Sequence, residues 1–227
     1  MNRLLLILSA IIFCSCHTIT GNGNIKSETR EVGGFDKVNA VGSIDIEMVS
    51  DNNPTVRVEA DDNVLPYIIT EVRSGTLEAR FKSNIMFTNT HAKVYVSAPG
   101  IKKLIVTGSG DIVSKDILKS ADEIGMEVNG SGNINVMTDA PSVVADISGS
   151  GDIQLRGRTK NFDCSISGSG DIKCKSLLSE NTTVTISGSG TAHIFASVSL
   201  KAKVNGSGEV YYGGSPAISG GPVHQEK

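Results

Sequence analysis

The chain has 227 residues, with 21 Lys and Arg against 24 Asp and Glu for a net charge of −3, and 39% of it is hydrophobic. That charge is too weak and too evenly spread to steer the protein toward nucleic acid, and the apolar content suits a folded rather than a disordered chain. With no Trp, four Tyr and six Phe, the sequence is also poor in the aromatic platforms on which glycan-cleaving grooves usually hold sugar rings.

Arg3 precedes an almost wholly apolar run from Leu4 to Phe13, closed by Cys14, Ser15 and Cys16. About ten apolar residues match the core of an export signal and fall short of the roughly 20 needed to span a bilayer. The pattern resembles a bacterial lipoprotein signal over residues 1–15, with Cys16, preceded by the small Ser15, as the lipidated first residue. The competing reading is an ordinary cleaved secretory signal. Loss of residues 1–15 removes only Arg3 from the charge count and leaves 20 basic against 24 acidic residues. Acyl chains on Cys16 would anchor the chain, so the expected location is the bacterial outer membrane, facing either leaflet.

Residues 16–33 are expected to be an N-terminal tether and a first strand. From there Val38 to Met48, Thr55 to Ala60, Thr76 to Phe81 and Lys93 to Ala98 alternate with the period of a half-buried strand, and Asn52-Asn53-Pro54, Arg73-Ser74-Gly75 and Pro99-Gly100 supply turns. Asp61 to Leu65, before Pro66, is expected as a brief helical turn. Gly42-Ser43, followed by Ile44 and Ile46, is a degenerate form of a triplet that dominates the second half.

That triplet is Gly-Ser-Gly, written six times: Gly108 and Gly110, Gly130 and Gly132, Gly149 and Gly151, Gly168 and Gly170, Gly188 and Gly190, Gly206 and Gly208. The steps between them are 22, 19, 19, 20 and 18 residues. A step of this size fits one circuit of a stacked β-coil. The predicted fold is all-β, a single-stranded β-helix or β-solenoid with about 18–22 residues per turn. Two positions before each triplet stand Val106, Val128, Ile147, Ile166, Ile186 and Val204, and two after it Ile112, Ile134, Ile153, Ile172, Ala192 and Val210. These are predicted inward ladders. Thr107, Asn129, Ser148, Ser167, Ser187 and Asn205 are predicted to face water. The paired glycines are read as structural corner residues, needed where inward Cβ atoms would collide or where φ is positive. Leu118 to Gly125, in the longest step, is expected as a short helical insertion. Residues 217–227 are expected to be a C-terminal tail, of which Gly220 to Lys227 is polar and read as loose, with capping of the coil end as the alternative.

Gly34-Phe35-Asp36-Lys37-Val38, Val56 to Ala60, Leu65 to Val72 before Gly75-Thr76-Leu77, Val94 to Pro99, the triplet series and the closing Tyr212-Gly213-Gly214-Ser215-Pro216 resemble the auto-transporter adhesin, head GIN domain family. The likeness covers residues 34–216. It implies a β-helix-like fold on exported or lipid-anchored bacterial proteins and carries over no catalytic residues.

Candidate chemistry is sparse. Asp111, Asn133, Asp152, Asp171, Thr191 and Glu209 follow the triplets as an outward ladder, but the 19-residue step differs from the nine-residue repeat of calcium-binding β-rolls, and no metal site or cofactor is expected. Cys164 and Cys174 share the inward parity and are read as buried free thiols, with a disulfide, which an exported compartment permits, as the alternative. His17, His91, His193 and His224 are scattered, Tyr211 and Tyr212 are expected to cap the open end, and the recurrent serines form no nucleophile elbow. The expected function is a structural or adhesive binding module of the cell envelope, without catalysis. Its expected partners are the membrane, through the N-terminal lipid, and a surface protein or glycan, with self-association through the coil ends open as well. The alternative is a polysaccharide lyase or hydrolase on a β-helix scaffold.

Overall fold

The computed structural model describes residues 17–49 and 53–226. Its strands are β1 (His17–Thr20), β2 (Ile25–Arg30), β3 (Lys37–Gly42), β4 (Asp45–Val49) and β5 (Thr55–Asp61), then β6 (Ile68–Arg73), β7 (Thr76–Phe81), β8 (Ile85–Thr88) and β9 (Ala92–Ser97). The second half contains β10 (Lys103–Gly108), β11 (Asp111–Lys119), β12 (Glu123–Gly130), β13 (Asn133–Gly149), β14 (Ile153–Gly168) and β15 (Asp171–Gly188). β16 (Thr191–Phe195), β17 (Ser199–Gly206), β18 (Glu209–Gly213), β19 (Ala217–Gly220) and β20 (His224–Gln225) complete it.

The strands form two parallel ladders that meet at the glycine corner. The ladder before the corner stacks β7, β3, β10 and β12, then the second halves of β13, β14 and β15, then β17 and β19. The ladder after it stacks β9, β4 and β11, then the first halves of β13, β14 and β15, then β16, β18 and β20. The protein is thus an all-β solenoid, with nine layers from β7 and β9 to β19 and β20. At about 4.8 Å per layer the column is about 40 Å tall.

The alternation read from sequence maps onto the core. Ile153, Ile172 and Val184 have no exposed surface, and the two inward ladders are buried except for the half-buried Val204 near the last layers. Phe162 is the largest fully buried side chain.

Corner stacking explains the glycines. The Gly130 carbonyl accepts the N–H groups of Ser150 and Gly151, at 2.9 and 3.2 Å, and the same pair recurs from layer to layer. At Gly149 φ is +137°, and a Cβ there would lie 2.2 Å from the Gly130 carbonyl oxygen. At Gly151 a Cβ would lie 2.0 Å from the Gly132 carbonyl oxygen. The obstruction therefore comes chiefly from the backbone of the layer beneath, along the column, rather than from side chains meeting across the bend. Ile44 holds the second-glycine position of the Gly42 corner and is fully buried, with Gly110 stacked above it. In the layer beneath that corner the chain departs through β8 between β7 and β9, which leaves room for a side chain.

Where the coil stops being regular, the chain departs from several expectations. Leu118 to Gly125 forms no helix. The three extra residues of that circuit are a bulge, in which Val113 pairs with Asn135 and Ile117 with Met137, and a turn, in which Lys119 pairs with Asp139 and Glu123 with Ser142. The parallel ladder on both sides offers every N–H a partner, so extra residues are looped out instead of winding into a helix. The helical turn expected at Asp61 to Leu65 lies later, as a 3-10 turn at Leu65–Tyr67 that includes Pro66. Pro fits there because the first N–H groups of a helical turn need no internal partner.

Both ends are more ordered than the sequence suggests. His17–Thr20 pairs with Ile85–Thr88, and β2 pairs antiparallel with β5, which itself lies antiparallel on β9. Residues 217–227 are not a loose tail throughout: β19 pairs with β17, and β20 takes a short cut back to β18, with His224 opposite Tyr211. Tyr212 is buried in the core, while Tyr211 is sandwiched on the outer wall between His193 and His224, at ring separations of 5.0 and 5.2 Å. Neither tyrosine is the terminal cap, because a further partial layer lies beyond them.

Candidate functional site

The acidic ladder after the corner acts on the backbone. Asp45 Oδ1 accepts the N–H of Asp111, Asp111 that of Asn133, Asn133 that of Asp152, Asp152 that of Asp171 and Asp171 that of Thr191, at 3.0–3.2 Å. Each side chain thereby satisfies a donor that the bend takes out of the regular ladder. Asp152 also pairs with Lys173 at 2.5 Å. Among the described residues no group of three or more His, Cys, Asp and Glu gathers as a metal site would require.

Cys164 and Cys174 are free thiols in the core, and burial pushes both well above the ordinary thiol range, where they are poor nucleophiles. His91 meets Glu59 at 3.2 Å. His193 meets Glu226 at 2.6 Å, and Lys175 holds the other oxygen of that carboxylate at 3.0 Å. Lys175, then burial in the opposite direction, then His193 set the acidity of Glu226, with the net result below the usual carboxylate range. Glu47 is lowered chiefly by Lys115 and Glu59 chiefly by His91. Every carboxylate with a shifted acidity is shifted toward its ionised form, the reverse of what a general acid needs.

A broad concavity lies at a second bend, opposite the glycine corner in each circuit. Two successive residues face outward there, as at Lys160 and Asn161, and parity then resumes with the buried Phe162. Its inner side is lined by the small residues Ala140, Thr159 and Ser179. Ser179 and Thr182 donate to the Phe195 carbonyl, closing the bend between layers. Outside runs an open groove of about 640 Å³, whose walls include Asp139, Arg158, Lys160, Leu178, Glu180 and Phe195. Arg158 is stacked between Asp139 and Leu178, and neither Arg158 nor Lys160 has an ion pair among the described residues. Leu178 is 50% exposed. The only sequence signal for this feature is Gly157, whose φ is +125° and which sits against the Thr138 carbonyl. The groove walls come from residues about 20 apart, and no local pattern connects them.

At the N-terminal end, Asp61 is 2% exposed and accepts the N–H groups of Gly23 at 2.6 Å and His91 at 2.7 Å. Asp62 takes Asn22, Asn24 and Lys26. This cluster, which no sequence pattern marks, ties residues 22–26 to the column. Cys16, the residue expected to carry lipid, lies outside the described residues, as do residues 1–15 of the expected signal. No described helix is long and apolar enough to cross a membrane.

A corner-stacked parallel coil with short antiparallel strands at one end defines an all-β solenoid protein. The sequence matches the family described as "Putative auto-transporter adhesin, head GIN domain" over residues 34–216, and the chain belongs to that family. Among solved structures it is similar to a "putative lipid binding protein" from Parabacteroides distasonis ATCC 8503, with 27% identity, TM-score 0.75 and coverage of 92% of this chain and 100% of that one. A "putative adhesin" from the same organism has 26% identity, TM-score 0.71 and coverage of 92% and 97%. A "putative adhesin" from Bacteroides fragilis NCTC 9343, at 23% identity and TM-score 0.79 over 88% and 93% of the two chains, shares the fold. No curated protein matches. The family is described by adhesion rather than catalysis.

Proposed function

We propose that the protein is a lipid-anchored binding module of the cell envelope, with residues 1–15 removed on export, Cys16 lipidated, and the column displayed at the outer membrane to hold an extended partner. The observation that carries this reading is the groove at the second bend. Arg158 and Lys160 are free to meet anionic groups there, Leu178 and Phe195 offer apolar surface beside them, and the groove runs across several layers as a linear polymer would. The relatives described as adhesins and as a lipid-binding protein support an envelope role. A rigid stack suits many weak contacts, because little ordering entropy is lost when it binds.

The test uses the mature full chain against acidic polysaccharides, such as polygalacturonate and hyaluronate, with neutral dextran as comparison. The expected result is retention of acidic chains, weakened about tenfold or more by the double change Arg158→Ala and Lys160→Ala, with no release of shortened products. Product release that depends on a discrete set of side chains would replace this reading with the lyase or hydrolase. Binding indifferent to the double change would remove the groove from it.

A further inference from the structure

The strand that follows Cys16 begins without a spacer. His17 is bonded to Cys16 and is already the first residue of β1, opposite Ile85 of β8. That strand is firmly held. Thr20 and Thr88 hydroxyls meet at 3.0 Å, the Asn63 amide donates to the Thr20 carbonyl at 2.8 Å, the Gly21 N–H donates to the Thr88 carbonyl at 3.1 Å, and Asp61 takes the Gly23 N–H.

One extended residue reaches at most about 3.6 Å, and paired strands lie about 4.8 Å apart. A glyceryl lipid on Cys16 fixes that residue at the boundary between acyl chains and headgroups, beneath a headgroup layer about 5–7 Å thick. The β1–β8 ribbon is then too close to the anchor to clear the lipid.

Its chemistry suits that position. Neither strand carries an Asp, Glu, Lys or Arg. One face turns Ile19 and Phe87 toward the column, where Phe87 stacks on Phe81 at 4.6 Å. The other presents Thr18, Thr20, Thr88 and Met86, which is 52% exposed. Lys82, in the turn leading into β8, is exposed and has no ion pair among the described residues, so it is available to phosphate groups.

We propose that the β1–β8 ribbon is a membrane-docking face: it lies in the headgroup layer with Met86 inserted, and the regular coil extends away from the bilayer. This rests on the lipidation of Cys16 proposed above.

The chain has no Trp, so Met86→Trp supplies a single reporter, and Leu178→Trp serves as the comparison from the column wall. Each lipidated full-length variant is placed in phosphatidylethanolamine and phosphatidylglycerol vesicles containing lipids brominated near the glycerol end of their acyl chains. The expected result is loss of about half or more of the Met86→Trp emission and of less than about a tenth of the Leu178→Trp emission. Inserting twelve Gly and Ser residues between Cys16 and His17, a spacer of about 20 Å, is expected to bring Met86→Trp down to the comparison level. Equal quenching at the two sites in protein that partitions into detergent and carries diacylglycerol by mass overturns the docking face while leaving lipidation intact. Quenching of Met86→Trp that persists unchanged with the spacer overturns the part assigned to the missing linker. Protein that stays in the aqueous phase without the lipid mass overturns both proposals.

Discussion

The regular coil from Lys103 to Gly213 and the N-terminal region from His17 to Ser97 share one core and the same two ladders, yet they finish their layers in different ways. In the coil each corner rests on another, so Gly168 faces the Gly149 carbonyl and has no room for a side chain. In the N-terminal region Gly42, at the equivalent position, has open space around its Cα, and Ile44 stands where later corners need glycine. Antiparallel β2, β5 and β6 then close the stack, and a buried carboxylate, Asp61, ties the first strands down. A repeat is thus enforced only where a neighbouring layer enforces it. The end of a column is built from individual contacts.

The sharpest way to break this comparison is to put the same substitution at both corners. Gly168→Ala combines a φ of +138° with a Cβ 2.1 Å from a carbonyl oxygen and is expected to lower stability by about 3–5 kcal/mol. Gly42→Ala, with φ +80° and no obstruction, is expected to cost about 1 kcal/mol. Urea unfolding of the two variants measures the difference, and equal losses would mean that stacking is not what selects the glycine.

A smaller contrast separates the two kinds of carboxylate. Asp61→Ala removes a buried carboxylate that accepts two backbone N–H groups and is expected to cost about 3 kcal/mol, whereas Asp152→Ala, half-exposed and serving one backbone N–H, is expected to cost about 1 kcal/mol. Thermal melts that ranked them the other way would place the main fastening of the chain in the coil.

The smallest effect concerns the C-terminal clasp. Because Lys175 and His193 lower the pKa of Glu226 below its ordinary 4.5, the stabilisation they provide is complete above about that pH and is lost as the pH falls through the folded value. NMR signals of Tyr211 and His224 are expected to lose their stacked shifts in that acidic window while the coil stays folded. Glu226→Gln is expected to show the released pattern already at neutral pH.

Much of the coil was readable in advance because translation along the column repeats the same constraint. Cys164, Ile166, Ile172 and Cys174 could be placed inside from parity alone, and the Gly42-Ser43 corner could be joined to the series. The form of the irregular circuit at Leu118 to Gly125 is not legible in the sequence, because residue count reveals an insertion but not its shape: a bulge and a turn spend the same three residues that a helical turn would. The candidate groove leaves no mark in the sequence because Arg158, Leu178 and Phe195 become neighbours only when successive circuits are stacked. The acidic ladder was visible as residues, but its use in capping backbone donors required the geometry of the bend.

By itself the sequence determined the β-solenoid, the length of its circuits and which side chains line its interior, since a period of two within a period near nineteen admits few other ways to bury the same face. Only the tertiary structure decided how the column ends, that its first strand starts directly after Cys16, and where its outer wall opens into a groove. Those features depend on contacts between segments far apart in the chain, and such contacts leave no periodic trace.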